Sequence, residues 1–382
     1  MGQNASAGGV PVNLHRQEPL TKRYMFGSEY AFSPNDMLDV NYVGSRGTRI
    51  DISSMNYGQL NPKYLSMGSA LSNSAGPNPF AGALSSLGLP PMNCPWSVAQ
   101  SLMPYPEFCG TVNAVDEPVG FNNYNSLQAK FTHQFREGLI FTASYTFSKF
   151  LSDVAGAHDW ASINNDTGGA TIRNYYDLKA DKSVDSNDIP HSLVLNYVYE
   201  VPVGRGKRFG GGMNRVEDVI AGGWQISGIT TVQSGFPMSI APPAGSSATL
   251  YGGNQHVNLT GAPIKSGTCG SGTSSNPYIP VGTKYCFFNP AAFAQAAPYT
   301  FGTGPRFYSN LRAPGYVNQD LGISKWFNLR ERFRLQFSLQ MFNAFNHPNF
   351  TIPNATVGDP TMGESSGTLG ARQMQASLKL TY

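Results

Sequence analysis

Charge is scarce in this chain. Only 13% of its 382 residues are Asp, Glu, Lys or Arg, against about 25% in ordinary soluble domains. The net charge of +3 is too small to argue for nucleic acid, and no lysine–arginine cluster interleaved with aromatics stands out. No run of about 18 apolar residues exists, which excludes a transmembrane helix. The first residues, Met1-Gly-Gln-Asn-Ala-Ser, lack a basic stretch followed by an apolar core, so no signal peptide begins here. Catalytic signatures are missing as well: there is no GxSxG, Walker loop or HExxH, and the six histidines are scattered. No enzyme and no cofactor is expected.

Cysteine is limited to Cys94, Cys109, Cys269 and Cys286, all in Gly/Pro/Ser-rich sequence and without the CxxC spacing of a zinc site. They read as two local disulfides, Cys94 to Cys109 and Cys269 to Cys286, one of three possible connectivities, with unpaired thiols as the alternative. Disulfides would place these segments in an oxidising compartment. Together with the absent signal peptide, that points to a gene portion upstream of Met1, the alternative being a cytoplasmic protein.

In place of charge the chain has glycine (42 residues), Phe (23) and Tyr (19), the material of strands, turns and polar loops. Nothing in it suggests helix. The last stretch shows the pattern best. Met374, Ala376, Leu378, Leu380 and Tyr382 fall on one parity and Gln375, Ser377, Lys379 and Thr381 on the other, a ribbon with one apolar and one polar side. Alternation ending on a terminal aromatic resembles the signal that bacterial barrel proteins present to their insertion machinery.

Eight further stretches alternate in the same way. A first hairpin occupies about 23 to 47 and turns at Ser33-Pro34-Asn35-Asp36. A second runs from Leu127 through Arg136-Glu137-Gly138 to Phe147. A third joins Leu193–Val201 to Trp224–Val232 through a basic, Gly-rich link. A fourth runs from Leu321 through Asn328–Glu331 to Met341. Both strands of the second pair exceed ten residues, where globular strands centre on about five or six and a tilted membrane strand needs about 9–11. A soluble antiparallel sandwich would have shorter strands.

Short and long connections alternate. Counted back from a last strand ending in the periplasm, every short connection falls on the periplasmic side and every long one outside, the layout of outer-membrane barrels. The apolar parity would meet lipid, leaving Lys130, Arg334 and Lys379 in the lumen, where each avoids about 2–4 kcal/mol of mid-membrane cost. The expectation is an all-β fold: an antiparallel transmembrane β-barrel segment of about nine long strands, incomplete, over residues 23–382, after a polar lead at 1–22.

Four motifs resemble those of a known family. Asn41-Tyr-Val-Gly-Ser-Arg-Gly-Thr48, Tyr124–Lys130 leading into Phe141–Lys149, Cys286-Phe-Phe-Asn-Pro-Ala-Ala-Phe293 and Phe342-Asn-Ala-Phe-Asn-His-Pro-Asn-Phe350 together resemble the barrel region of Oar-like TonB-dependent receptors. The resemblance implies a 22-stranded barrel in the outer membrane of a Gram-negative-type bacterium, with an N-terminal plug and energy drawn from the inner membrane. It implies contact with outer-membrane lipid and with the barrel-assembly machinery, and with TonB only through an N-terminal region that this chain lacks. About nine strands and no plug are found here, so the chain reads as the C-terminal part of such a receptor. A passive porin or a surface adhesin, without energy coupling, is the other reading.

Few individual residues invite a role. Asp153, Asp159 and Asp166 share a polar loop and could offer oxygens to Ca²⁺, though solvated carboxylates explain them better. His133 sits on the apolar parity, where interfacial packing fits better than ligation. Arg205, Lys207 and Arg208 could touch lipid head groups or form a solvated turn. Tyr251, Tyr278 and Tyr299 could contact a solute, and no code in the loops names it.

Overall fold

The computed structural model describes residues 17–52, 55–86, 95–109, 111–114, 117–136, 138–153, 172–265, 287–330 and 333–381. Nine long strands form one sheet: β1 (Leu20–Ser33), β2 (Asp36–Ile52), β3 (Glu117–Arg136), β4 (Leu139–Ser152), β5 (His191–Glu200), β6 (Trp224–Gln233), β7 (Tyr316–Arg330), β8 (Phe333–Phe342) and β9 (Gln373–Thr381). Each pairs antiparallel with its sequence neighbour. A two-residue strand, Ser183–Val184, adds to the end of β4. Among the described residues the outer edges of β1 and β9 carry no partner, so the sheet is an unclosed meander.

All nine expected strands are present, and three strand ends differ from expectation. β1 starts at Leu20, inside the stretch expected as polar lead. β2 and β3 pair well beyond Thr48 and Phe121, as far as Ile52 opposite Glu117. Register shifts at Ile50 and a positive φ of 57° at Arg49 mark a bulge. One extra residue there moves later side chains to the opposite face, which erases the alternation without ending the strand.

The register shows that the apolar parity is one continuous face. Tyr30, Leu38, Phe131, Ala143, Leu195 and Thr230 form one row across the first six strands. Ile226, Ile323, Leu339 and Ala376 continue the face across the last four. Phe26, Tyr30 and Leu378 on it are 71%, 62% and 68% exposed. No second sheet covers it among the described residues, so a sandwich is excluded.

Polar groups on this face satisfy one another, as hydrocarbon requires. Tyr24 and Tyr42 both donate to Asn125 Oδ1, at 3.0 and 2.8 Å. Gln319 Nε2 donates to Tyr197 Oη at 3.0 Å, and Thr230 Oγ1 donates to Gln319 Oε1. The Tyr197 ring lies over its cross-strand partner Gly228, where a Cβ would stand 2.6 Å from Cζ. Gly228→Ala is therefore expected to cost about 1–3 kcal/mol by overpacking. In urea unfolding a Tyr197→Ala background should absorb most of that loss, because the clash partner is gone. Full additivity would contradict the contact.

The buried core is elsewhere. Except for Ile52, every buried apolar residue among the described residues lies in the connections 53–116, 153–190, 234–315 and 343–372, which all leave the same end of the sheet. One cluster joins Met238, Val257, Phe293 and Leu311 to Met362, linking two of these connections. A second joins Leu60, Leu71 and Ala99 to Leu250. The long connections are thus one folded layer. They include helices that composition did not suggest, Ala81–Ser86 and Val98–Leu102, while a third, Arg215–Ala221, lies in a connection at the other end.

Candidate functional site

The opposite parity is polar. Its central row runs Glu29, Asp39, Lys130, Ser144, Val194 and Thr231 through the paired strands. Asp39 also accepts from Asn41 Nδ2 at 2.7 Å. The like charges of Glu29 and Asp39 stand directly opposite each other, which disfavours the pair unless a cation is adjacent, and Lys130 is cross-strand from Asp39. Gln336 and Lys379 lie opposite each other across β8 and β9, and Arg334 lies opposite Thr381. All three cations named from sequence therefore share the polar side.

Cations also occur on the apolar parity: Arg46 opposite Lys22 and Lys149 opposite Asn125 lie toward the loop-layer end, and one near the other end is buried. Lys325 pairs with Trp224 and Phe337, both on the apolar face, yet is 3% exposed. Its Nζ donates to the Ile220 carbonyl at 3.2 Å, beside Trp224 Nε1, which donates to the same oxygen at 2.9 Å. Nζ also lies 5.2 Å from the Trp224 and Phe327 rings. The helix Arg215–Ala221 thus covers the ammonium with its carbonyl end, the pole that favours a cation.

At the long-connection end the loop layer closes over the polar parity. Ser126, Ser148 and Ser152 are buried there, with Ser148 Oγ donating to the Ile189 carbonyl at 2.7 Å. Two arginines fasten the layer to β4. Arg306 Nη2 donates to Ser152 Oγ at 2.6 Å and to its carbonyl at 3.1 Å. Arg312 Nη2 meets Asp188 Oδ2 at 2.5 Å, while Asp188 Oδ1 accepts the Phe150 amide at 2.5 Å.

A third arginine works within the layer. The Arg173 amide donates to Asp181 Oδ2 at 2.8 Å and its guanidinium reaches the carbonyls of Gly302 and Gly304 at 3.2 and 3.0 Å. Burial pushes the Asp181 carboxyl above the usual carboxylate range, opposed by the Arg173 amide and guanidinium. Burial also raises Asp153, although the Phe121 amide donates to it at 2.7 Å.

Between the ends of β6 and β7 and the connection 343–372 lies a cleft of about 780 Å³, lined in part by Phe236, Tyr316, Phe350 and Ile352. Asn349 fixes its wall: its side chain accepts the Val317 amide and donates to the Val317 carbonyl, both at 2.9 Å. Asn343 and Asn346 turn the chain with φ of 48° and 52°, and Asn343 Nδ2 donates to the His347 and Gly370 carbonyls at 3.0 and 3.2 Å. The Phe342–Phe350 motif is therefore a fastener of this loop, a role its spacing did not disclose.

The sequence candidates fall as follows. Met374, Ala376, Leu378 and Leu380 lie on the apolar face opposite Met341, Leu339, Phe337 and Leu335; Tyr382 lies outside the described residues. Cys109 is disulfide-bonded, and Cys94, Cys269 and Cys286 lie outside the described residues, as do Asp159, Asp166 and Tyr278. Among the described residues no cluster of His, Cys, Asp or Glu could hold a metal. His133 meets Asp36 at 2.6 Å through Nδ1, an ion-pair geometry in place of simple packing. Tyr251 and Tyr299 pack against the Leu60 cluster, and Tyr251 shares a 3.0 Å hydrogen bond with Ser72, so both serve the layer's own structure.

Residues 2–375 match the family described as Outer membrane beta barrel domain. The chain belongs to that family. The bare apolar face of the outer-membrane barrel domain is then its lipid-facing surface, and the polar parity faces inward. A comparison with curated proteins found no match. Solved structures similar to this chain include the outer membrane transporter YddB from Escherichia coli, with 8% identity, 98% of this chain and 34% of that chain covered, and a TM-score of 0.43. Others are the siderophore receptor PiuA from Acinetobacter baumannii, with 8% identity, 94% and 28% covered and a TM-score of 0.39, and the pyoverdine receptor FpvA from Pseudomonas aeruginosa PAO1, with 9%, 98%, 31% and 0.37. The chain spans about a third of the length of these structures.

Proposed function

We propose that this barrel domain is part of an energy-coupled outer-membrane receptor of the Oar-like, TonB-dependent kind, that its folded loop layer faces outward, and that it moves a large solute across the membrane. The observation that carries the reading is strand direction. β1 descends from the loop-layer end and β9 descends the same way, so closing these nine strands on themselves would need a parallel seam in an otherwise antiparallel sheet. Bacterial single-chain barrels are antiparallel and even in strand number. Further strands between β9 and β1 supply the closure in this reading, as a larger receptor barrel would. The four family-like motifs support the same class, and the C-terminal strand acts as the insertion signal through Met374, Ala376, Leu378, Leu380 and Tyr382. The Cys94–Cys109 and Cys269–Cys286 disulfides brace the outer loops.

The test is an epitope tag at the chromosomal locus. The product is expected to exceed 41.2 kDa, to fractionate with the outer membrane and to show heat-modifiable mobility, and its solute uptake should stop on adding a protonophore. A soluble product overturns the membrane reading. Uptake indifferent to the protonophore overturns the energy coupling and favours a passive porin.

A further inference from the structure

Four of the connections lie at the end of the sheet opposite the loop layer, and three of them are tight turns. The fourth, 201–223, holds a seven-residue helix whose apolar side chains face outward. Val216, Val219 and Ile220 stand at positions i, i+3 and i+4, one stripe of a helix, and are 69%, 56% and 68% exposed. Phe209 beside them is 56% exposed. Three exposed β-branched residues on one stripe of so short a helix form an apolar patch of the kind that meets a partner or a membrane, since apolar surface left in water is unfavourable.

The surroundings name the cover. The helix ends on Lys325 and Trp224 through the Ile220 carbonyl, and both residues sit on the apolar parity that meets lipid. The exposed stripe is therefore continuous with the lipid-facing surface at its rim. The same connection carries Arg205, Lys207, Arg208 and Arg215 against Glu217 and Asp218, four cations to two carboxylates. Both carboxylates are held by backbone amides: Glu217 accepts from Asn214 at 2.9 Å and Asp218 from Arg205 at 2.7 Å. Lys207 also approaches Glu200 at 3.8 Å, with both side chains about half exposed. All four cations are exposed, and Arg208 lies over the Phe209 ring at 5.6 Å.

We propose that residues 205–221 form an interfacial anchor: Phe209, Val216, Val219 and Ile220 enter the membrane at the short-connection rim, and Arg205, Lys207, Arg208 and Arg215 bind the head groups of anionic phospholipid. A helix with an apolar face and flanking cations lies in the interface plane in this way. Assigning it to the phospholipid of the periplasmic leaflet rests on the orientation proposed above, whereas the insertion itself does not. The anchor also explains why Lys325 stays on the apolar parity. The helix carbonyl and the two rings enclose its ammonium, in place of the water that an uncovered lipid-facing lysine would lack.

The test uses the outer-membrane product in nanodiscs, whose two identical leaflets make the result independent of orientation. A nitroxide is placed at Val219→Cys and, independently, at Ile220→Cys, and each signal is measured against the identically treated chain lacking the substitution. Heat-modifiable mobility selects folded protein. In phosphatidylethanolamine with phosphatidylglycerol, both labels should collide more with oxygen than with a water-soluble nickel chelate. Replacing the lipid by phosphatidylcholine should lower the inserted-to-aqueous ratio, by about fivefold for each cation engaged. Arg205→Gln with Lys207→Gln and Arg208→Gln should remove most of that dependence on lipid charge. Labels that favour the nickel chelate in both lipids overturn the anchor and leave the stripe to a protein partner. Insertion that ignores lipid charge overturns the head-group assignment.

Discussion

Arg312→Met is expected to loosen the loop layer at β4 by about 3 kcal/mol, the low end for breaking a buried ion pair. Asp188 is fully buried and holds two partners, Arg312 Nη2 and the Phe150 amide. Arg312 in turn bridges to the carbonyls of Asp188 and Gly235, at 2.8 and 3.2 Å. Methionine keeps the stem and removes the charge, leaving a fully buried carboxylate without its cation. Adding Asp188→Asn should recover part of the loss, because an amide oxygen still accepts the Phe150 N–H without carrying a charge. Hydrogen exchange over residues 183–190 and 308–312 measures it: faster exchange there, with strand protection in β8 unchanged, is the expected pattern. Unchanged protection in the layer would mean that the arginine is not its fastening.

Leu339→Arg is expected to cost about 2–4 kcal/mol in unfolding from vesicles, the mid-membrane penalty for arginine on a lipid-facing strand position. Leu339 lies opposite Ile323 and Ala376, near the middle of β7 and β8, away from the head groups. Ser338→Arg, one residue away, points to the polar side and should change stability little. Length, strand propensity and added charge are the same in the two variants, so the difference reports the solvent on each side. Equal losses would remove the distinction between a lipid face and a water face.

Much of this was legible because a strand repeats every two residues. In β8 and β9 nothing interrupts the alternation from Phe333 to Met341 or from Met374 to Leu380, and the two apolar parities read from sequence face each other in the sheet. Legibility failed where a local rule was broken. At Arg49 the bulge shifts the parity, and the loop-layer end of the β2–β3 ladder read as loop. The helix Arg215–Ala221 left a short signal, the capping box Asn214 and Glu217 followed by Val216, Val219 and Ile220, amid glycines that suggested only a link. Lys325 was passed over since its cover, Ile220, is 105 residues distant in sequence.

The loop layer was the least legible part. Met238 and Met362 share one buried cluster and Leu60 and Leu250 another, across separations that no periodicity records. Its fasteners are single arginines and asparagines in sequence that looks like any polar loop. Asn349 and Asn343 belong to a stretch that stood out as a motif, yet the hydrogen bonds to Val317, His347 and Gly370 need the folded connection to be understood. The chemistry of the solute is in neither pattern.

A nitroxide scan along β8, one residue at a time from Arg334 to Phe342 in phospholipid nanodiscs, tests the central claim most directly. Labels at Leu335, Phe337, Leu339 and Met341 should meet oxygen in the lipid, and labels at Arg334, Gln336, Ser338 and Gln340 should meet the aqueous nickel chelate, with a period of two throughout. Accessibility without that period, or with the phases exchanged, would contradict an outer-membrane strand that turns its apolar parity to lipid.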